Sequence, residues 1–187
     1  MKLTYHIGKF LYPDFIWNVP SDSSDVYLTF DDGPHPEITA WVLDFLKGVN
    51  AKASFFVVGE NAKKYPELIQ RILSEGHSLG NHTQRHLNGW DVSTEEYLQD
   101  IQDCFATLPE TFLFRPPYGR INKGAIPALS DYKIVMWDNL SRDYVKGLNR
   151  NYSLRSLKNN TKAGSIAVFH DSPKAEANMK YLLPRYV

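Results

Sequence analysis

Polar side chains with metal-binding or acid–base chemistry recur directly after short apolar runs of this 187-residue chain. Asp31 and Asp32 follow the apolar run 26–30, and His170 follows the run 166–169. The carboxyl ends of parallel strands meet at one edge of a sheet or barrel, so side chains placed there converge. This placement therefore favours a fold in which parallel strands bring distant segments to a common face.

Short runs with strand character alternate with segments of helical periodicity, as in α/β folds. The predicted strands are 26–30, 53–58, 78–81, 113–114, 134–137 and 166–169. One helical stripe is formed by Ile38, Trp41, Val42, Phe45, Leu46 and Val49. Another helix is predicted at 68–73, ending near Gly76, and Ser93 begins a third as the N-cap of a capping box with Glu96. The pattern predicts an α/β fold with six or seven parallel strands.

Composition narrows the possible classes of protein. The length predicts one domain, residues 1–187, in which 1–24 form an N-terminal extension that packs on the rest. The 21 basic and 21 acidic residues balance, which argues against a general nucleic-acid-binding protein. Cys104 is the single cysteine, so an intrachain disulfide and a cysteine-built zinc site are both excluded. A bound metal must therefore use histidine and carboxylate ligands.

The sequence predicts no targeting or membrane-spanning segment. Residues 1–20 are interrupted by His6, Asp14 and Asn18 and lack a small-residue cleavage site, so no signal peptide is predicted. No window reaches the about eighteen apolar residues of a spanning helix, so membrane insertion is not expected. The expected location is the cytoplasm, or the periplasm or cell exterior if a leader was removed.

The turn that begins with Asp31-Asp32 and the pair His82 and His86 together predict a metal site. Two imidazoles four residues apart can reach one ion, and one of the adjacent carboxylates can complete a set of three ligands. Three protein ligands leave a position for water, as in hydrolytic centres, and the second carboxylate is then a candidate general base. Separately, Asp-Asp-Gly-Pro is also good turn chemistry and two histidines four apart are a weak motif, so the prediction depends on their combination.

Two further side chains fit roles in acid–base chemistry. Arg115 precedes two prolines that stiffen its loop, so its guanidinium can hold a carboxylate in a fixed orientation and keep it ionised. His170 can protonate a departing amine, and Asp143 is the candidate partner that orients its ring. The alternatives are a surface arginine before a turn, and for His170 a third metal ligand or a capped structural histidine.

Four motifs in order closely resemble those of the polysaccharide deacetylase family, carbohydrate esterase family 4, from about Val26 to about Asp171. The motifs are Thr29-Phe30-Asp31-Asp32-Gly33-Pro34, His82-Thr83-Gln84-Arg85-His86, Arg115-Pro116-Pro117-Tyr118 and Val168-Phe169-His170. The resemblance implies an irregular (β/α) barrel, often with seven strands. It also implies a divalent transition metal, and the nitrogen and oxygen ligands favour Zn²⁺, with Co²⁺, Ni²⁺ or Mn²⁺ as alternatives.

The resemblance also implies a role for each site residue. The implied metal ligands are Asp32, His82 and His86, and the implied catalytic residues are Asp31 as base, Arg115 as its orienting partner, His170 as acid and Asp143 beside it. The backbone N–H of Tyr118 would stabilise the oxyanion, and Val168 would lie beside the acetyl methyl group. The family's fourth motif, Asp-x-x-Asp-Trp, corresponds here to a stretch with Leu140, Asp143 and Tyr144, so the substrate pocket is expected to differ more than the chemistry.

The implied function is metal-dependent removal of N-acetyl groups from amino sugars in a chitin-like or peptidoglycan-like polysaccharide or oligosaccharide. An N-acetylated glycan is then the expected partner. One alternative is an amidase or deacetylase of a small N-acylated metabolite, and another is a catalytically silent carbohydrate- or metal-binding module. Whether Phe15, Trp17 and Trp90 line a cleft or fill the core is left open.

Overall fold

A single parallel sheet organises the chain in a computed structural model that describes residues 2–20 and 23–187. Its strands are β1 Tyr27–Asp31, β2 Ala53–Val57, β3 Ser78–Asn81, β4 Leu113–Phe114, β5 Lys133–Ile134, β6 Asn139–Leu140 and β7 Ile166–His170. The seven strands run in the order β5-β4-β3-β2-β1-β7-β6, and every pair is parallel. The sheet curls into a half-barrel, which confirms the predicted irregular (β/α) barrel.

Helices connect the strands and cover the sheet. They are α1 Lys2–Leu11, α2 Ile38–Gly48, α3 Gly59–Lys64, α4 Pro66–Ser74, α5 Thr94–Thr107, α6 Arg150–Asn160 and α7 Glu176–Tyr186. Two short 3₁₀ segments, Pro117–Gly119 and Lys123–Leu129, follow β4. At the start of α5, Ser93 Oγ accepts a hydrogen bond from the Glu96 N–H at 3.1 Å, so the predicted N-cap is confirmed. No helix in this described part of the chain combines the length and apolar character needed to cross a bilayer.

The centre of the core lies against β1, the strand that ends in the acidic pair. Phe30 of β1 stacks on Phe55 of β2 with ring centroids 5.1 Å apart and contacts Phe169 of β7 at 6.0 Å. The predicted stripe of α2 buries Ile38 and Leu46 in the same cluster. Cys104 also lies buried in this cluster, as its helical position predicts. The rigid packing of β1 fixes the direction in which Asp31 and Asp32 leave the sheet.

The prediction of a strand over 134–137 is wrong in its extent. The strand β5 ends at Ile134, and the unpredicted strand β6 begins only at Asn139. Beyond β5, Val135 forms an isolated bridge with Ile16, and the carbonyl groups of Val135 and Met136 both accept hydrogen bonds from Arg115. These carbonyl groups therefore accept hydrogen bonds from a buried side chain instead of from the backbone of a neighbouring strand.

The aromatic residues left open by the sequence fall into two environments. Phe15 and Trp17 are buried against Phe114 and Ile134 in a second core cluster, and Tyr12 stacks on Phe15 at 4.8 Å. Segment 12–17 thus packs against strands β4 and β5. Trp90 differs, because 67% of its surface is exposed.

Candidate active site

The carboxyl edge of the sheet opens into a cavity of about 540 Å³. Most of the predicted site residues line it, namely Asp31, Asp32, His82, His86, Tyr118, Tyr144, Val168 and His170. Arg115 and Asp143 lie behind the lining and are completely buried. The structure thus brings together every residue that the sequence placed in the site, from five separate regions of the chain.

Asp32, His82 and His86 form a cluster whose ligand atoms all lie within 4.8 Å of one another. Asp32 Oδ1 is 3.1 Å from His86 Nε2 and 3.7 Å from His82 Nε2. Burial would raise the pKa of Asp32, but the hydrogen bond with His86 and the nearby charge of His170 outweigh it and hold the pKa well below its ordinary value. A carboxylate is therefore available as a ligand.

His82 is held in the form that can bind a metal. Its Nδ1 lies 2.7 Å from the carbonyl oxygen of Arg115, and because a carbonyl only accepts, Nδ1 must carry the proton. The lone pair is then on Nε2, which faces Asp32. Burial lowers the pKa of His82 to about 4, so the imidazole is neutral near pH 7. A backbone partner that fixes the tautomer of a metal-binding histidine is a usual feature of such sites, and the three donors fit a divalent cation.

The backbone at the cluster adopts conformations that non-glycine residues rarely occupy. Asp32 has φ 80°, His86 has φ 57° and Tyr118 has φ 60°, all in the left-handed region. Such residues cost about 1–3 kcal/mol each and tend to persist where function requires them. Asn61 holds the Asp32 carbonyl at 2.9 Å, and the Thr83 hydroxyl accepts the Leu87 N–H at 3.0 Å. The surrounding structure thus fixes the turns that present the ligands.

The turn after β1 is also fixed by Asp171, which was not predicted as a site residue. Asp171 Oδ1 accepts the Gly33 N–H at 3.1 Å, and Oδ2 accepts the Thr39 hydroxyl. A Cβ on Gly33 would lie 2.1 Å from Asp171 Oδ2, so only glycine allows this close approach. Burial raises the pKa of Asp171 to about 7. The position of Asp171 directly after His170 at a strand end was the available sign in the sequence.

Asp31 and Asp32 point to different partners, as expected for neighbours at the end of a strand. Arg115 Nη1 lies 2.6 Å from Asp31 Oδ1 and 2.8 Å from Thr29 Oγ1. Nε and Nη2 of Arg115 donate to the carbonyl groups of Val135 and Met136, each at 3.0 Å. The guanidinium therefore has one fixed position and orients the Asp31 carboxylate at the cavity wall.

His170 and Asp143 form a second buried pair. His170 Nδ1 lies 2.7 Å from Asp143 Oδ1, and the His170 backbone N–H donates to Asp143 Oδ2 at 2.9 Å. Burial lowers the pKa of His170, but the charge and the hydrogen bond of Asp143 outweigh it and raise the pKa to about 9. The ring of Tyr144 packs edge-on against His170 at 4.9 Å. His170 is thus a protonated imidazole near pH 7, oriented through Nδ1.

Three residues of the cavity wall were not predicted. Trp137 is the last residue of the predicted strand 134–137 and lies beyond the observed end of β5, and Arg120 follows the motif that contains Tyr118. Lys174 also lines the cavity, with Nζ 5.5 Å from the Tyr144 ring centroid. Trp137 and Arg120 could have been suspected from their nearness to predicted strand ends, whereas no pattern in the sequence marks Lys174.

Comparisons with known proteins agree with the fold. The sequence profile described as "Polysaccharide deacetylase" matches residues 18–137. A peptidoglycan-N-acetylglucosamine deacetylase of Bacillus cereus is 36% identical over 167 residues, which cover 85% of this chain and 60% of that protein. A chitooligosaccharide deacetylase of Azorhizobium caulinodans is 33% identical over 170 residues, which cover 86% of this chain and 80% of that protein.

Solved structures show the same similarity. The crystal structure of a peptidoglycan N-acetylglucosamine deacetylase in complex with an N-hydroxybenzamide compound matches this fold with a TM-score of 0.82 at 30% identity. The match covers 95% of this chain and 89% of that chain. The chain is therefore similar to these deacetylases over most of its own length.

Proposed function

We propose that this chain, which belongs to the polysaccharide deacetylase family, hydrolyses the N-acetyl group of an amino sugar in a glycan with the help of a divalent metal. One observation carries the proposal. A single cavity joins an Asp-His-His cluster, a carboxylate paired with arginine and a histidine paired with aspartate. Together these groups meet the needs of amide hydrolysis: a metal site, a base and an acid.

Asp32, His82 and His86 are the proposed metal ligands. Two imidazole nitrogens and one carboxylate oxygen suit Zn²⁺, and Co²⁺, Ni²⁺ or Mn²⁺ are alternatives. When bound, the cation would supply a Lewis acid that polarises the acetyl carbonyl group and makes water more acidic. The chain would position it through His82, whose orientation depends on the Arg115 carbonyl.

Asp31 is the proposed general base, and His170 is the proposed general acid. Asp31 would take a proton from the attacking water while Arg115 holds its carboxylate in place. His170 Nδ1 is occupied by Asp143, so the proton on Nε2 is the one that can pass to the departing amine. Breaking the C–N bond then releases acetate and a neutral amine.

The cavity wall provides groups for the remaining parts of the reaction. The backbone N–H of Tyr118 is the proposed donor to the oxyanion that forms when the carbonyl carbon becomes tetrahedral. Val168 lies in the same wall and is the proposed contact of the acetyl methyl group. Tyr144 packs on His170 and limits the rotation of its ring.

Removal of metal is expected to abolish acetate release from N-acetylglucosamine oligomers. The His82→Ala protein should contain less metal than the unaltered protein and should lose activity at least about a hundredfold, because one of three ligands is missing. Metal content by atomic spectroscopy and acetate release by a coupled assay measure both quantities. Restoration of activity by added Zn²⁺ is the control for the chelator. Full activity in protein free of metal would contradict the proposed role.

The acid role of His170 predicts a specific pH dependence. The general acid must be protonated, and its protonated fraction falls as pH rises through the raised pKa of about 9. In Asp143→Asn the amide oxygen can still accept from Nδ1, but the negative charge is gone, so the pKa of His170 should fall. The alkaline limb of the kcat profile should move to lower pH by about one to three units. A limb that stays in place while kcat falls would indicate that Asp143 acts only on folding.

A further inference from the structure

A second cavity, of about 370 Å³, adjoins the proposed catalytic cavity. Tyr118, Arg120 and Trp137 line both, so the two cavities meet at these three side chains. The second cavity is largely aromatic and aliphatic, and its walls include Trp17 and Trp90. None of the four sequence motifs supplies Trp90 or Trp17.

Trp90 is exposed and yet held in place. Trp90 is 67% exposed, and the Arg120 guanidinium lies 4.8 Å from the centroid of its ring, on one face. A Cβ on Gly89 would lie 2.7 Å from the Arg120 carbonyl oxygen and 2.6 Å from the Asn122 nitrogen. The loop that contains Trp90 is therefore seated directly on the backbone of the segment 120–122.

Hydrogen bonds within the loop add to this order. Asn88 Oδ1 accepts the Trp90 N–H at 3.2 Å, and Asn88 Nδ2 donates to Asp91 Oδ2 at 2.7 Å. A large apolar side chain that is both exposed and preorganised loses little conformational entropy when a ligand covers it. Trp90 thus has the properties of a binding residue more than those of a core residue.

The chemistry of the second cavity suits a sugar. Ligand sites are commonly apolar and aromatic with a few polar groups that fix orientation, and here Arg120 provides cationic donors beside Trp90. A pyranose ring has an apolar face of C–H groups and a rim of hydroxyl groups, which matches an aromatic surface bordered by a guanidinium. The second cavity shares three wall residues with the cavity that would hold the N-acetyl sugar, so a sugar bound there would be the neighbour of that sugar in one glycan.

We infer that the second cavity, through Trp90 and Arg120, binds a sugar adjacent to the one that is deacetylated. The substrate is then an oligosaccharide or polysaccharide and not a single N-acylated metabolite. The inference rests on the proposed function, since that function places the acetylated sugar in the first cavity. It adds a binding site that the four motifs do not contain.

The test is to replace Trp90 and to vary the length of the glycan. In Trp90→Ala, kcat/KM for the hexamer of N-acetylglucosamine should fall about tenfold, the effect expected from one lost aromatic contact of about 1.4 kcal/mol. The rise of kcat/KM from monomer to hexamer should become correspondingly smaller. Tyr152→Ala is the matched control, because Tyr152 is 71% exposed on α6 and lines neither cavity. This control should leave the dependence on length unchanged.

Calorimetry with the hexamer and metal-free protein gives a second readout that needs no chemistry. The Kd for the hexamer should rise about tenfold in Trp90→Ala and stay unchanged in Tyr152→Ala. Weaker binding in Trp90→Ala without acetate release by any form would support the second cavity and contradict the proposed function. Acetate release with no effect of Trp90→Ala at any length, or no binding of the hexamer by the unaltered protein, would overturn the inference.

Discussion

Asp31→Asn is expected to lower kcat for acetate release by about a hundredfold to ten-thousandfold while the protein keeps its metal. An asparagine has nearly the same shape as aspartate, and its amide oxygen can still accept the hydrogen bond from Arg115 Nη1. Its oxygen is too weak a base to take the proton of the attacking water. The ligands Asp32, His82 and His86 are unchanged. The substitution thus removes basicity and leaves the metal site intact.

The measurement combines kcat with metal content and with thermal unfolding of the same preparation. Asp44→Asn is the matched control, because Asp44 is an exposed carboxylate whose ion pair with Arg71 lies on the surface. It should change neither kcat nor metal content. An Asp31→Asn protein with bound metal and an unchanged rate would exclude Asp31 as the base. A protein that lost metal together with activity would instead place Asp31 among the groups that maintain the ligand geometry.

The sheet was predictable because its strands are short apolar runs of high β-propensity with polar residues at their ends. Burial of β1, β2 and β7 in one core produces that pattern directly. The convergence of His82, His86 and Asp32 then followed from parallel topology alone, since each comes at or soon after the carboxyl end of a strand. In this chain, the parallel sheet therefore determines both which residues are buried and where the site lies.

The features of the fold and the site that could not be predicted from the sequence depend on contacts between distant residues. The strand predicted over 134–137 ends early because two of its carbonyl groups turn to Arg115, and nothing within that run encodes this. The left-handed turn at Asp32 is stabilised by Asn61, which lies on helix α3, 29 residues further along the chain. Lys174 enters the cavity only because of the path that the chain takes after β7. Tertiary contacts overrode local preference at each of these places.

Arg115→Ala is expected to destabilise the fold by about 3–5 kcal/mol, the effect of removing one member of a buried ion pair. The Arg115 side chain is fully buried, and its partner Asp31 is nearly so. Loss of the guanidinium leaves the Asp31 carboxylate and the carbonyl groups of Val135 and Met136 without the donors that they have now. It also opens a void beside Phe56, over whose ring the guanidinium lies at 4.0 Å. Urea denaturation measures the change in the free energy of unfolding.

Two variants separate the reasons for this expected loss. Arg155→Ala removes an exposed arginine on α6 and should change the free energy of unfolding by no more than about 0.5 kcal/mol. In the double variant Asp31→Asn with Arg115→Ala, no carboxylate is left without its partner. The double variant should therefore lose less free energy of unfolding than the sum of the losses in the two single variants. A loss in Arg115→Ala below about 1 kcal/mol would mean that water replaces the guanidinium without cost. The base would then be oriented by solvent, and the fixed position of Asp31 in the proposed mechanism would have no structural support.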